Sequence, residues 1–172
     1  SEEQITLVPT GPLTNIAILL KAYPHIKNKI KEIVLMGGGA FGGNYNAAAE
    51  FNIYADPEAA QIVFNSGVKL VMCGLDVTLK ATVTPEDIDT IRAIGNKAGD
   101  FIAEAVEFYM AMYKRNPNFT GCAIHDAVTI TYLIAPELIK TRQGIARVDI
   151  DGRDSYAATI CDFRPWRGRE KD

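Results

Sequence analysis

Short apolar runs alternate with amphipathic stretches through the first half of the chain. Ile5 to Val8 is apolar, stops at Pro9, and predicts a buried strand. Gly11-Pro12 then opens a helix to about Ala22, with Pro12 near the first helical position, where its missing N–H costs nothing. Tyr23-Pro24 ends that helix. A second apolar run, Ile33 to Met36, stops at Gly37-Gly38-Gly39. A helix from Pro57 to about Asn65 follows, with Asp56 as its N-cap and Gly67 just past its end. Lys69 to Cys73 is a third run, stopped by Gly74. Short, nearly continuous apolar strands separated by helices predict a parallel sheet covered on both faces. The fold class is therefore α/β, a Rossmann-like, mainly parallel sheet flanked by helices. The strands are unequally spaced and show no internal repeat.

From Thr84 the pattern turns helical. Thr84-Pro85-Glu86-Asp87 combines a hydroxyl cap, a proline and first-turn acids. Helical patterning continues to about Arg115, broken near Gly95 and Gly99, and Asn116-Pro117-Asn118 reads as a loop. Ala123 to about Leu133 predicts another helix, closed before Pro136. Ala146 to Ile150 and Tyr156 to Asp162 alternate like strands, and Asp151-Gly152 between them is a hairpin signal. No linker-like stretch divides the chain, so residues 1–172 read as one domain.

Composition narrows the classes without choosing among them. A length of 172 residues, 48% hydrophobic and 23% charged, fits a globular domain with a proper core. A net charge of −3 argues against a nucleic-acid partner. The basic ending from Arg164 to Lys171 is diluted by acids and reads as a solvated tail. No apolar run approaches the ~20 residues of a membrane helix, so no membrane partner is expected. Cys73, Cys122 and Cys161 lack CxxC spacing; Cys73 and Cys161 lie in apolar runs and read as small buried hydrophobes. That pattern favours a reducing compartment, and a cytoplasmic location is the expectation. Ser-Glu-Glu-Gln at the start lacks the basic and apolar regions of a signal peptide.

In open α/β sheets, ligands bind beyond the carboxyl ends of the strands. Those ends are Pro9-Thr10-Gly11, Met36-Gly37-Gly38-Gly39 and Gly74-Leu75-Asp76. The middle one leads into a long glycine-rich loop carrying Asn44, Asn46, Glu50 and Asn52, which is either a functional loop or a polar surface loop. Gly37 to Gly42 matches GxGxxG. However, the chain continues as loop instead of opening a helix, and no acid ends a next strand about 20 residues on, so dinucleotide binding is disfavoured. His125-Asp126 near a helix start offers a second constellation. Both side chains reach one site only if it lies at the helix end, and a neutral His suits that place better than a charged one. A capping Asp beside a packed His explains the same pair. His25 follows Pro24 at a helix end and reads as exposed.

Taken in order, these pieces resemble the inosine-uridine-preferring nucleoside hydrolase family. The matching residues are Thr10-Gly11-Pro12-Leu13-Thr14-Asn15, Met36-Gly37-Gly38, Asn44, Glu50-Phe51-Asn52, Asp56-Pro57-Glu58-Ala59-Ala60 and His125-Asp126. The resemblance implies hydrolysis of the N-glycosidic bond of a small-molecule ribonucleoside to ribose and free base, assisted by Ca²⁺. It implies that Thr10, through its carbonyl, and Asp126 ligate the metal. Asn44 and Glu50 would bind the 5′-hydroxyl, Asn52 the ribose hydroxyls nearer the metal, and Met36 would pack beneath the sugar. His125 would face the leaving base and protonate it. The residue types fit such work, since Ca²⁺ takes oxygen ligands and a positioned His is a general acid. The family also implies a homo-oligomer, a dimer or tetramer, in the full-length form. Tyr109 and Tyr113, four apart on one helical face, pack in a core or contact the base.

One departure is large. The family's aspartate-rich N-terminal motif, with the general base and most metal carboxylates, has no counterpart here; Asp149-Ile150-Asp151 and Asp154 belong to the expected hairpin. The expectation is a partial nucleoside hydrolase domain, either a fragment of a complete enzyme or a truncated product, and inactive alone. The alternative from another class is a non-catalytic α/β module binding a nucleoside or sugar.

Overall fold

The structure, a computed structural model, describes residues 3–113 and 120–164. The Asn116-Pro117-Asn118 loop and, apart from Arg164, the basic ending lie outside the described residues. These residues form two compact units, Ser1–Val77 with Asp126–Asp172, and Thr78–His125.

The first unit is built on three parallel strands, β1 (Ile5–Leu7), β2 (Ile30–Met36) and β3 (Leu70–Cys73), in the order β1-β2-β3. All three apolar runs are strands, as their pattern predicts. Along β2, Ile33, Val34, Leu35 and Met36 are buried in succession. Alternate side chains of a strand point to opposite faces, so both faces of this sheet are covered. Ile33 and Leu35 join a core with Leu13, Ala17 and Leu20 of α1 (Thr14–Ala22) and with Ala59, Ala60 and Val63 of α3 (Pro57–Phe64).

Helix α1 starts two residues later than the Gly11-Pro12 signal predicts. Leu13 holds the N-cap position with its side chain fully buried, and Thr14 Oγ1 donates to the Asp56 carboxylate. Burial of Leu13 and that tie fix the entry, not the proline. Asp56 also caps α3 through Ala59 N, as expected, and Gly67 beyond α3 is left-handed at φ 79°.

After α2 (Phe51–Ala55), α3 and β3 comes α4 (Leu75–Thr78). The second unit contains β4 (Thr82–Val83), α5 (Pro85–Arg92), α6 (Lys97–Tyr113) and β5 (Cys122–Ala123). Thr84 and Asp87 form the predicted capping box at α5. Gly95 breaks the chain at φ 69°, whereas Gly99 lies inside α6, where a Cβ would meet Ile91 O at 2.8 Å. The glycine there permits close approach to α5 and is no breaker. Ile88, Ala103, Met110 and Cys122 form this unit's core, with Tyr109 and Tyr113 packed against it. The two phenols hydrogen-bond at 2.8 Å, so core packing accounts for this tyrosine pair.

The helix expected from Ala123 starts at Ala127 instead. Cys122 and Ala123 pair with Val83 and Thr82 in an antiparallel ladder, which withdraws them from the helix. Helix α7 (Ala127–Ile134) returns to the first unit and lies against β2. The last strands, β6 (Ile145–Val148) and β7 (Thr159–Asp162), are antiparallel as predicted. Asp151-Gly152 is not a two-residue turn between them, because residues 149–158 form one organised loop. Asp149 accepts from Ser155 Oγ, Asp151 N and Gly152 N, which explains why its carboxyl lies below the usual range.

Cys73 and Cys122 are buried and all three cysteines are free thiols. Burial pushes the Cys73 thiol up to about 11, the behaviour of a small hydrophobe. Among the described residues, no helix is long and apolar enough to cross a membrane.

Candidate functional site

The carboxyl ends of β1 and β2 lie side by side. Met36 N donates to Pro9 O at 3.0 Å, extending the parallel ladder past β1 and setting Thr10 beside the end of β2. Into this corner points Asn52, from α2. Its Nδ2 donates to Met36 O at 3.1 Å, contacts Met36 Sδ at 3.3 Å and reaches Thr10 O at 3.5 Å. Thr10, Met36 and Asn52, residues far apart in sequence, are thus one cluster. Asn52 is 8% exposed, and among the described residues its Oδ1 accepts no hydrogen bond. The corner therefore presents a fixed acceptor beside two backbone carbonyls, an arrangement that takes hydroxyl donors.

Helix α2 explains how Asn52 is aimed. Glu50 is its N-cap and is 2% exposed. Glu50 Oε1 accepts from Asn52 N at 3.0 Å; Oε2 accepts from Ile53 N at 3.2 Å and from Gly38 N at 2.9 Å. One carboxylate thereby fastens the helix to the glycine turn after β2. Three amides occupy it, leaving about one lone-pair direction for anything else. At Gly38 the backbone is left-handed, φ 75°, and a Cβ would meet Thr159 Oγ1 at 2.6 Å, so only glycine fits.

The loop before Glu50 is tightly folded. Asn44, Tyr45 and Asn46 all direct their amides at Ala49 O, at 3.2, 3.1 and 3.4 Å. Asn46 Oδ1 accepts from Ala48 N and Ala49 N. Asn44 Oδ1 accepts from Phe51 N at 2.9 Å, which leaves the exposed Nδ2 as the donor of that side chain. Tyr45 stacks on Tyr54 with centroids 3.8 Å apart.

Asp126 and His125 have local partners of their own. Asp126 holds the N-cap position of α7, where its carbonyl accepts from Thr129 N and Oγ1 and its side chain does not cap the helix. A carboxylate there favours the positive helix end. His125 belongs to the second unit, where Nδ1 lies 2.8 Å from Thr78 Oγ1. His25 is exposed, as expected.

Sequence reasoning placed Asp76 at a strand end without giving it a role, and did not single out Thr78. Asp76 Oδ2 accepts from Ala40 N at 2.6 Å and ties the glycine turn to the end of β3, alongside Leu75 N donating to Gly38 O at 2.9 Å. The available signal was its place: a carboxylate at the carboxyl end of a strand, where ligand loops are anchored.

As a metal site the described residues fall short. Thr10 O and the Asp126 carboxylate are hard oxygen donors of the right kind for Ca²⁺, which takes six to eight. Among the described residues no group of three or more His, Cys, Asp or Glu is placed to hold a metal ion.

Comparison with known proteins agrees with this frame. The family model for the inosine-uridine preferring nucleoside hydrolase matches residues 1–172. The pyrimidine-specific ribonucleoside hydrolase RihA of Shewanella woodyi is 47% identical over 164 residues, 94% of this chain and 52% of that protein. RihA of Escherichia coli is 46% identical over 95% of this chain and 53% of that protein. Among solved structures, a purine-preferring ribonucleoside hydrolase from Gardnerella vaginalis superposes with a TM-score of 0.83 at 42% identity, covering 91% of this chain and 50% of that one. A plant nucleoside hydrolase gives 0.87 at 30% identity, covering 98% and 53%. The chain spans about half the length of the curated relatives it matches. With a family match along its whole length and relatives near half identical, the chain belongs to the inosine-uridine preferring nucleoside hydrolase family.

Proposed function

We propose that this chain supplies the ribose-gripping part of a ribonucleoside N-ribohydrolase. The observation that carries the reading is the convergence of Thr10 O, Met36 and Asn52 Nδ2 at the ends of β1 and β2. Asn52 Oδ1 accepts from a ribose hydroxyl, Met36 packs beneath the sugar, and Asn44 Nδ2 donates to the 5′-hydroxyl. Glu50 contributes through its remaining lone pair and by holding α2 in place. These contacts spend binding energy away from the reacting carbon to hold the sugar for reaction.

In the reaction the C1′–N bond breaks with its electron pair leaving on the base. His125, once its ring has taken up a second proton, donates one to that base, and water adds to C1′, giving its proton to a general base outside the residues assigned here. The proposed metal is Ca²⁺, with Thr10 O and Asp126 as this chain's share of its ligands. Two oxygens do not make such a site. Relatives and structural neighbours carry both pyrimidine-specific and purine-preferring names, so the proposal stops at ribonucleosides. A homo-oligomer and a cytoplasmic location complete the proposed reading.

Two measurements on the isolated chain test it. Ribose release from inosine or uridine is expected to be absent; turnover abolished by Asp126→Ala would overturn that expectation. Titration with ribose or uridine, with and without Ca²⁺, is expected to show binding lost in Asn52→Ala. Binding indifferent to Asn52 refutes the grip, while binding by Asn52 that is indifferent to Ca²⁺ favours a non-catalytic sugar-binding module.

A further inference from the structure

Thr78 ends α4 with no exposed surface, and its Oγ1 lies 2.8 Å from Nδ1 of His125, 47 residues on. Main-chain pairing brings the two together. Ala81 N donates to Thr78 O, Ile124 N donates to Ala81 O at 2.8 Å, and Thr82 pairs with Ala123 in the β4–β5 ladder. The contact is therefore set by the backbone.

A buried hydroxyl has one hydrogen to place. Among the described residues, His125 Nδ1 is the one hydrogen-bond partner of the Thr78 side chain. If Nδ1–H were the donor, the hydroxyl hydrogen would be left buried without an acceptor, which native structures avoid. The hydroxyl therefore donates, Nδ1 accepts, and the neutral ring carries its hydrogen on Nε2.

We propose that Thr78 is a positioning residue for His125, fixing ring orientation and tautomer so that Nε2–H is the end available to a ligand. Such an end serves an acceptor atom, such as a ring nitrogen or carbonyl oxygen of a nucleobase. The functional value rests on the role assigned to His125 above; the tautomer does not.

Ring ¹⁵N–¹H correlation spectra of the labelled chain at about pH 8.5, above the usual imidazole range, read the tautomer directly. His25→Gln removes the other histidine signal. The wild type and Thr78→Ser are expected to show the Nε2–H form, and Thr78→Val to lose it for a mixture or the Nδ1–H form. Nδ1–H in the wild type overturns the proposal even if Thr78→Val fails to fold. An unchanged Nε2–H form in folded Thr78→Val overturns it as well. Uridine binding is measured on the same samples. No binding with the expected tautomer counts against the assigned function alone, and binding with the wrong tautomer counts against Thr78 alone.

Discussion

Replacing Glu50 by Gln tests whether this carboxylate is first a fastening and only second a ligand. The substitution keeps shape and volume and changes one oxygen into an NH₂ group. Oε2 serves two amides, Gly38 N and Ile53 N, whereas Oε1 serves only Asn52 N. The new NH₂ group settles on the Oε1 side, where it costs one bond instead of two. Asn52 N then faces a donor inside a residue 2% exposed. Losing a hydrogen bond to a charged acceptor costs about 1.5–3 kcal/mol, and the two remaining bonds become neutral ones. A total near 3 kcal/mol follows, or about 6–12 °C in melting temperature for a chain of this size. Urea and thermal unfolding followed by far-ultraviolet circular dichroism measure it. A Gln variant within about 0.5 kcal/mol of the wild type would refute the reasoning, because it would mean the three amides do not depend on the charge.

Two further outcomes follow from the loops. Gly43→Ala puts a Cβ 2.1 Å from Ala49 O, the carbonyl on which three loop amides converge. A loss of about 1–3 kcal/mol is expected, with faster hydrogen exchange at residues 44–46; unchanged exchange would show that the loop re-forms around the methyl. Asp149 is held below the usual carboxylate range first by the Ser155 hydroxyl, then by the Asp151 and Gly152 amides. Its folded-state value is depressed, so its contribution is present above the unfolded value of about 3.9 and is lost as pH falls through the lower folded value. Melting temperatures from about pH 6 to 2 should therefore fall less steeply in Asp149→Asn than in the wild type; parallel curves would contradict this assignment.

The sheet was legible because both faces of it are covered. Continuous burial from Ile33 to Met36 leaves a continuous apolar run in the sequence. Caps were legible for a related reason: Asp56 and Thr84 act on amides three residues away, within reach of local reading. What failed was non-local. Cys122 and Ala123 look helical until β4 pairs with them, and Gly99 looks like a breaker until α5 packs against it. Asp151-Gly152 carries a turn signature, yet the Asp149 carboxylate organises the whole loop and overrides it. In the site, the family resemblance named Thr10, Met36 and Asn52, which the structure brings together as neighbours. It gave no hint of Asp76 or Thr78, whose roles appear only when distant carbonyls, amides and a ring nitrogen come within reach.

The site's residues divide by what their polar atoms already do. Glu50 has spent three of its acceptor positions on Gly38, Asn52 and Ile53, and Asn46 has spent its oxygen on Ala48 and Ala49. Asn44 and Asn52 each keep one polar end in hand, Nδ2 on the first and Oδ1 on the second, while the opposite end is fixed to backbone. An amide side chain anchored at one end presents the other with little entropy left to lose, so a hydroxyl meets a preorganised partner. Carboxylate and amide therefore contribute to the proposed grip in different ways. Glu50 sets the positions of the turn and helix, and in the proposed reading the asparagines make the contact. Loss of sugar binding in a Glu50 variant would on this account follow loss of α2 and the Gly38 turn, and Asn52 would lose binding with the fold intact.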